Sequence, residues 1–552
     1  MNKTDSTCRL TTAQAIVRWL SNQFIEIDGE ERRLFGGGFG IFGHGNVACL
    51  GEALHAHRDE LPLYRGQNEQ SMGFAAAAYA KYHLRQRMMF CTASAGPGTS
   101  NLLTSAALAN ANRLPMLLLC GDTYLTRLPD PVLQQIEHFG DPTLGVNDAF
   151  KAVTRYWDRI SHPLQIMQSL PQAIGILLDP ADCGPAFIGL PQDVQGWAHD
   201  YPERFFARTV HRVRRAAPDE LDVAAAAALI ARAERPMIIA GGGVQYSGAV
   251  AELTAFAEER QIPVVETIAG RANLLATHAL NTGPIGVTGS NSANAIAERA
   301  DVIVAVGTRL QDFTTGSWTA FAKEARIIGL NVGRHDAGKH GALSVIGDAR
   351  RSLPLLNAAL GDYVAPERWT ALAAEQRRQW DAYVAQNVAH GNRPNSYAQA
   401  IGVVNALCHA DDRVVAAAGG LPAQQEAPAA SSRPPRRLAS GVHNTAELPV
   451  LLLTAPVAWP LRSSAEHPTA TGRRSDGRRR AGGPHGACDG LWGRSSWQSG
   501  LRRKTLSILY NVRRRDAGGG RGARRGDHHG RPVVLNASEP QRTRMRRQSG
   551  RC

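Results

Sequence analysis

Residues 61–101, LPLYRGQNEQSMGFAAAAYAKYHLRQRMMFCTASAGPGTSN, constrain the fold more tightly than any other stretch of the chain. A polar loop delivers Glu69 to the start of an alanine-rich helix, an apolar run follows, and a Gly/Pro loop from Ser94 to Asn101 opens a second helix, LLTSAALANA. A helix followed by a continuous apolar run bounded by glycines is half of a βαβ unit, with a carboxylate at one end and a backbone cradle at the other. Both ends also have plain physical readings. Carboxylates are favoured in a first helical turn by the macrodipole and the free N–H groups. A glycine loop at a helix start suits an anion.

The same alternation recurs along the chain. Residues 11–27 read as an amphipathic helix, Phe35 to Gly43 as a glycine-rich strand running into a turn at His44-Gly45-Asn46, and Val47 to His57 as a helix. Gly43, His44 and Asn46 therefore stand at a strand's C-terminal edge, where open α/β sheets bind ligands. A turn histidine bonded to nearby backbone is the plainer alternative for His44. The runs PMLLLCGD (115–122) and GPAFIGLPQDV (184–194) add buried strands, while Gln134 and Gln135 between them face either the site or solvent. Residues 235–267, 300–310 and 325–333 predict a second doubly wound parallel domain. Its Gly241-Gly242-Gly243 turn lacks the G-x-G-x-x-G spacing, so dinucleotide binding is not expected. The organisation is α/β throughout: a first domain over 1–195, a linker over 196–217, a Rossmann-like domain over 218–365, and a connecting helical segment over 366–395. Trp369, Trp380 and Tyr383 are spaced to pack in that segment. Residues 396–422 open a third domain and end in Gly419-Gly420-Leu421-Pro422.

Charge divides the chain into two unlike parts. Residues 423–552 hold 24 arginines and one lysine against eight acidic residues, a balance of +17, whereas the first 422 residues carry 37 basic and 40 acidic, or −3. A tail so rich in Arg, Gly, Pro and Ser buries too little surface to offset chain entropy and is expected to be disordered. Counterion release by many arginines would suit nucleic acid. Aromatic residues for base stacking are sparse, however, and the composition changes inside a domain, so nucleic acid is not an expected partner. The eight cysteines show no ligand spacing, the N-terminus has no signal-peptide form, and no run approaches the roughly 20 apolar residues of a membrane helix. The expectation is a cytoplasmic chain without a membrane partner.

N-E-Q ahead of an A-x-x-Y-A helix, then T-x-S-x-G-P-G-x-x-N, resembles the pyrimidine-binding domain of thiamine diphosphate enzymes of the acetohydroxyacid synthase superfamily. Within it, FGHGNVACLGEAL, MMFCTASAGPGTSNLLTSAALAN, NRLPMLLLCGD and FTTGSWTAF are most similar to the ring-opening hydrolases of myo-inositol catabolism. The resemblance implies successive domains of the thiamine diphosphate-enzyme type: the pyrimidine-binding domain, a central domain that holds FAD in some relatives, with FAD not expected here, and a diphosphate-binding domain. It implies thiamine diphosphate and Mg²⁺ as cofactors, a small cyclic diketone opened to 5-deoxyglucuronate as substrate, and a homodimer or homotetramer whose sites form between subunits. Glu69 would hydrogen-bond the aminopyrimidine N1′ and so promote loss of the thiazolium C2 proton, general acid–base work by a carboxyl tuned through burial. Gly43, His44, Asn46, Gly419 and Gly420 would line the cofactor, with His44 and Asn46 on the substrate side. The loop from Ser94 to Asn101 becomes scaffold rather than an anion site. An acetohydroxyacid synthase-like carboligase or decarboxylase is the alternative enzyme, and a non-catalytic remnant the other alternative.

The family pattern stops after residue 422. A G-D-G followed about two dozen residues later by an asparagine should hold Mg²⁺ against the diphosphate. Ser475-Asp476-Gly477 and Cys488-Asp489-Gly490 follow no apolar strand, so no metal ligand is assigned. A frameshift near codon 423 is the expected origin of the truncated third domain and of the arginine-rich sequence that replaces it.

Overall fold

Met88–Thr92, Met116–Asp122 and Pro185–Pro191 are buried at every position, as strands covered on both faces must be. They belong to a six-stranded parallel sheet whose spatial order is Leu63–Arg65, Phe35–Gly40, Met88–Thr92, Met116–Asp122, Pro185–Pro191 and Tyr156–Arg159. Period-two alternation divides the side chains between two cores. Phe90, Leu117 and Leu119 pack with the helices Thr12–Ser21 and Ile166–Leu177, while Met89, Cys91, Leu118 and Cys120 pack with Glu69–Tyr82 and Leu103–Ala111. Gly38 is required inside this sheet: a methyl group built there would lie 2.1 Å from the Phe90 ring.

The computed structural model describes residues 6–129, 133, 136, 138–389 and 396–407, together with the backbone of short strands at Arg413–Ala416, Leu438–Ala439 and Leu452–Thr454. Gln134, Gln135, Gly419, Gly420 and the rest of 423–552 lie outside the described residues. Leu438–Ala439 pairs parallel, and Leu452–Thr454 antiparallel, with Arg413–Ala416.

The central domain has a second six-stranded parallel sheet, ordered Asn281–Pro284, Val264–Glu266, Pro236–Ala240, Val302–Val306, Arg326–Asn331 and Leu343–Ile346. Numbered along the chain this is 3-2-1-4-5-6, the doubly wound order. The helix Glu367–Val388 follows, with Trp369 and Trp380 buried; Tyr383 is exposed and stacks on Trp380 with ring centroids 5.3 Å apart.

Three local expectations differ from what forms. The helix expected over 11–27 covers only Thr12–Ser21, capped by Thr11 in a capping box; beyond it Gln23–Ile27 is a strand. The stretch 196–217, read as a linker, contains Ala198–Pro202, antiparallel to Thr7–Thr11, and Thr209–Arg212, parallel to Gln23–Ile27. Both are short edge strands whose polar residues mask the alternation. Val47 to His57 begins as a π-turn at Val47–Gly51 and becomes α-helical only at Glu52–Ala56.

Candidate cofactor-binding site

Three strand C-termini of the first sheet converge on one edge. The turn after Phe35–Gly40 carries His44, the loop after Met88–Thr92 runs from Ser94 to Asn101, and Met116–Asp122 ends in Gly121-Asp122. They touch through backbone: a methyl group on Gly45 would lie 2.5 Å from Ala95 N, and one on Gly121 2.8 Å from Gly45 O. Gly45 N donates to Ser94 Oγ at 3.2 Å, and Gln195 Nε2 donates to Gly45 O at 2.6 Å and to Leu190 O at 2.9 Å. The edge is a braced platform.

Glu69 stands at the first position of helix Glu69–Tyr82, behind the N-cap Asn68, whose side chain accepts from Ser71 N at 2.9 Å. It is half-buried. The glycine loop folds back over it. Asn101 Nδ2 donates to Glu69 Oε2 at 2.8 Å, and a methyl group on Gly98 would lie 3.6 Å from Oε1. Oε2 is thereby held, while Oε1 faces the backbone of Gly98 with no hydrogen bond among the described residues. The loop can approach because Gly96 takes φ 65°, ψ −119° before Pro97 starts the short helix Pro97–Ser100.

The turn separates its two polar residues. His44 is exposed, and its ring makes no hydrogen bond among the described residues, so the backbone-bonded alternative is not what forms. Asn46 is 1% exposed. Its Oδ1 accepts from Gly43 N at 3.0 Å, and its Nδ2 donates to Thr92 Oγ1 at 3.0 Å and Ile41 O at 3.3 Å. Expected on the substrate side, Asn46 instead has its amide committed to the turn, because an Asx side chain satisfies local backbone most directly there. Gly43 closes the turn by accepting from Asn46 N and Val47 N.

Sequence reading missed Asn101 as the partner of Glu69, although it closes the T-x-S-x-G-P-G-x-x-N motif. It also missed an ionic brace beside the platform. Arg159 Nε lies 2.7 Å from Asp122 Oδ2 and its Nη2 2.8 Å from Asp148 Oδ2, while Lys151 reaches Asp148 Oδ1 at 2.7 Å. Burial alone would raise the Asp148 carboxyl, but hydrogen bonds from Lys151, the Gly145 N–H and Arg159 hold it at about 2. FTTGSWTAF lies in the central domain, where Gly316, Ser317 and Trp318 are all left-handed and the Trp318 ring packs on His340. Among the described residues no cluster of three metal-ligating side chains occurs, and no helix is long and apolar enough to cross a membrane.

Residues 38–140 match the thiamine pyrophosphate enzyme N-terminal TPP binding domain, and residues 223–356 the thiamine pyrophosphate enzyme central domain. With a carboxylate at the edge of the first sheet and a doubly wound domain behind it, these matches define a thiamine pyrophosphate enzyme. A 3D-(3,5/4)-trihydroxycyclohexane-1,2-dione hydrolase of Geobacillus thermodenitrificans is 45% identical over 441 residues, covering 76% of this chain and 68% of the relative. Hydrolases of the same name from Bacillus anthracis and Bacillus cereus are 42% and 43% identical and are covered to 70% and 69%. The chain belongs to the 3D-(3,5/4)-trihydroxycyclohexane-1,2-dione hydrolase family.

Proposed function

We propose that the chain carries the cofactor-activating part of a hydrolase that opens the ring of 3D-(3,5/4)-trihydroxycyclohexane-1,2-dione to 5-deoxyglucuronate in the cytoplasm. The observation that carries this reading is the Glu69 carboxylate, held at Oε2 by Asn101 and open at Oε1 over Gly98. A half-buried carboxylate with one oxygen fixed and the other open fits the ring nitrogen of an aminopyrimidine. When bound, thiamine diphosphate supplies the acidic ring carbon and the electron sink for carbon–carbon cleavage. Glu69 holds or releases a proton at Oε1, Asn101 fixes the plane of the carboxylate, and Gly98 lets the loop close over it. His44, exposed on the adjoining turn, would meet the substrate, and Gly43 and Asn46 hold that turn.

The diphosphate end, with its Mg²⁺, needs residues that 423–552 does not encode, and a frameshift near codon 423 explains their loss. In support, the matched share of this chain, 75–78%, is of the size of the stretch that precedes residue 423. The family's homodimer or homotetramer would place each Glu69 against a partner's third domain.

The test is to restore the reading frame in the coding DNA and assay ring opening. The chain as it stands should be silent, the restored chain active, and the restored chain with Glu69→Gln inactive. Saturable, Mg²⁺-dependent binding of thiamine diphosphate by the present chain would overturn the frameshift. Undiminished turnover by the Glu69→Gln form would overturn the role of Glu69.

A further inference from the structure

Helix Leu103–Ala111 begins just after Asn101 and ends, nine residues on, in a turn where four cations from two domains meet. Arg309 Nη1 donates to Ala111 O at 2.5 Å. Arg85 Nη2 donates to Asn112 O at 3.4 Å, and its guanidinium carbon lies 3.9 Å from the centre of the Tyr246 ring. Arg113 Nη2 is 2.6 Å from Asp336 Oδ2, and Lys339 Nζ is 2.8 Å from Asp336 Oδ1 and 2.7 Å from Arg309 O. Arg85, Ala111, Asn112 and Arg113 come from the first domain; Tyr246, Arg309, Asp336 and Lys339 come from the central one.

The charges in this cluster do not balance. Asp336, 3% exposed, is the one carboxylate that these contacts reach among the described residues. The helix end adds only about half a negative charge through its free carbonyls. The Nε atoms of Arg85 and Arg113 are buried without an acceptor, and Asp336 Oδ2, although 2.6 Å from Arg113 Nη2, is buried without a hydrogen bond. Burial, together with the neighbouring Arg113 and Arg85, holds the Arg309 guanidinium below its ordinary value despite Asp336. Partly buried cations in excess of their counter-charges are unfavourable unless an anion joins them.

We propose that Arg85, Arg113, Arg309 and Lys339 form a binding site for an oxyanion, a phosphate or a carboxylate group, between the first and central domains. Guanidinium groups suit such oxygens because their N–H donors pair with two oxygens at once. The site is independent of Glu69 and of the tail. Two helices tie it to Glu69: Glu69–Tyr82, with Arg85 just past its end and its N–H on Ala80 O at 2.8 Å, and Leu103–Ala111, which at 1.5 Å per residue holds Asn101 and the turn roughly 14 Å apart.

The test is thermal unfolding of the full chain in sodium phosphate, in sodium malonate, and in sodium chloride of matched ionic strength, for the parent and for Arg309→Gln. The expected result is an upward shift of Tm with phosphate or malonate that chloride does not give and that Arg309→Gln reduces by at least half. Which of the two anions acts identifies the ligand as phosphate-like or carboxylate-like. Any anion uptake by the arginine-rich tail would be common to both proteins, so a shift of equal size in parent and variant overturns the proposal, as does no shift in the parent. If Arg309→Gln does not fold, Arg85→Gln replaces it. Calorimetric titration of the unmodified chain with inorganic phosphate should also show a saturable site, and its absence overturns the proposal without any variant.

Discussion

Asn101 donates its side-chain N–H to Glu69 Oε2 across 2.8 Å, joining two residues 32 positions apart at the two ends of the most constrained stretch of sequence. The helix that starts at Glu69, the buried strand and the glycine loop between them therefore form one closed unit. Its polar ends meet while its apolar middle is covered on both faces.

Asn101→Ala should lower the unfolding free energy by about 1 kcal/mol, the net worth of one partly buried hydrogen bond. Glu69→Gln keeps an oxygen for Asn101 and should stay within about 0.5 kcal/mol of the parent. Urea midpoints at unchanged slope would measure both, and equal losses in the two variants would mean that the contact is not made.

Gly121→Ala sets a methyl group 2.8 Å from Gly45 O and 2.9 Å from Ala95 N, both backbone atoms with nowhere to move. It should destabilise by about 1–3 kcal/mol through overpacking. Gln195→Ala leaves the Gly45 carbonyl, buried at the same contact, without its donor, and should cost about as much. Thermal unfolding of the two single variants and the double variant gives the measurement. Because both act on Gly45, the losses should be less than additive.

Asp148 makes acid stability predictable in sign. Its folded carboxyl at about 2 lies below the ordinary value of 3.8, so the stabilisation is fully present above pH 4 and is lost as pH falls through about 2. Asp148→Asn should therefore be less stable than the parent by on the order of 2 kcal/mol at pH 5, with the gap closing toward pH 2. Denaturant titrations at pH 5, 3.5 and 2.5 read this directly; a gap that does not change with pH would remove Asp148 from the brace.

Burial pushes the Cys120 thiol up to about 12 and the Cys183 thiol up to about 11, and it raises Cys91 as well. Maleimide labelling of the native chain at pH 7 should mark Cys8 and Cys49, which are partly exposed, at least about tenfold faster than these three. In urea the difference should vanish. Mass spectrometry of the labelled peptides would show the pattern.

What the sequence disclosed follows from the range over which each signal acts. Met88–Thr92 and Met116–Asp122 were legible because a strand covered on both faces is apolar at every position, a strictly local property. Glu69 was legible through the motif around it. The fate of Asn46 was not, since an amide in a turn looks the same whether it faces a ligand or its own backbone; only the closeness of Thr92 Oγ1 and Gly43 N decides. Asp122 and Arg159, 37 residues apart, meet only because their strands end at the same edge of the sheet. Thr209–Arg212 escaped for a different reason: two of its four residues are basic or imidazole side chains, and its pairing with Gln23–Ile27 supplies the order that its own pattern does not.

Helix Tyr397–Leu407 lays Ile401 and Gln399 against its neighbours, with Gly402 close on Val388, yet Tyr397 and Leu407 remain 55% and 69% exposed. A helix with one face packed and the other presenting large apolar side chains offers an interaction surface. Recognition of such a helix would not require the two sheets ahead of it to unfold.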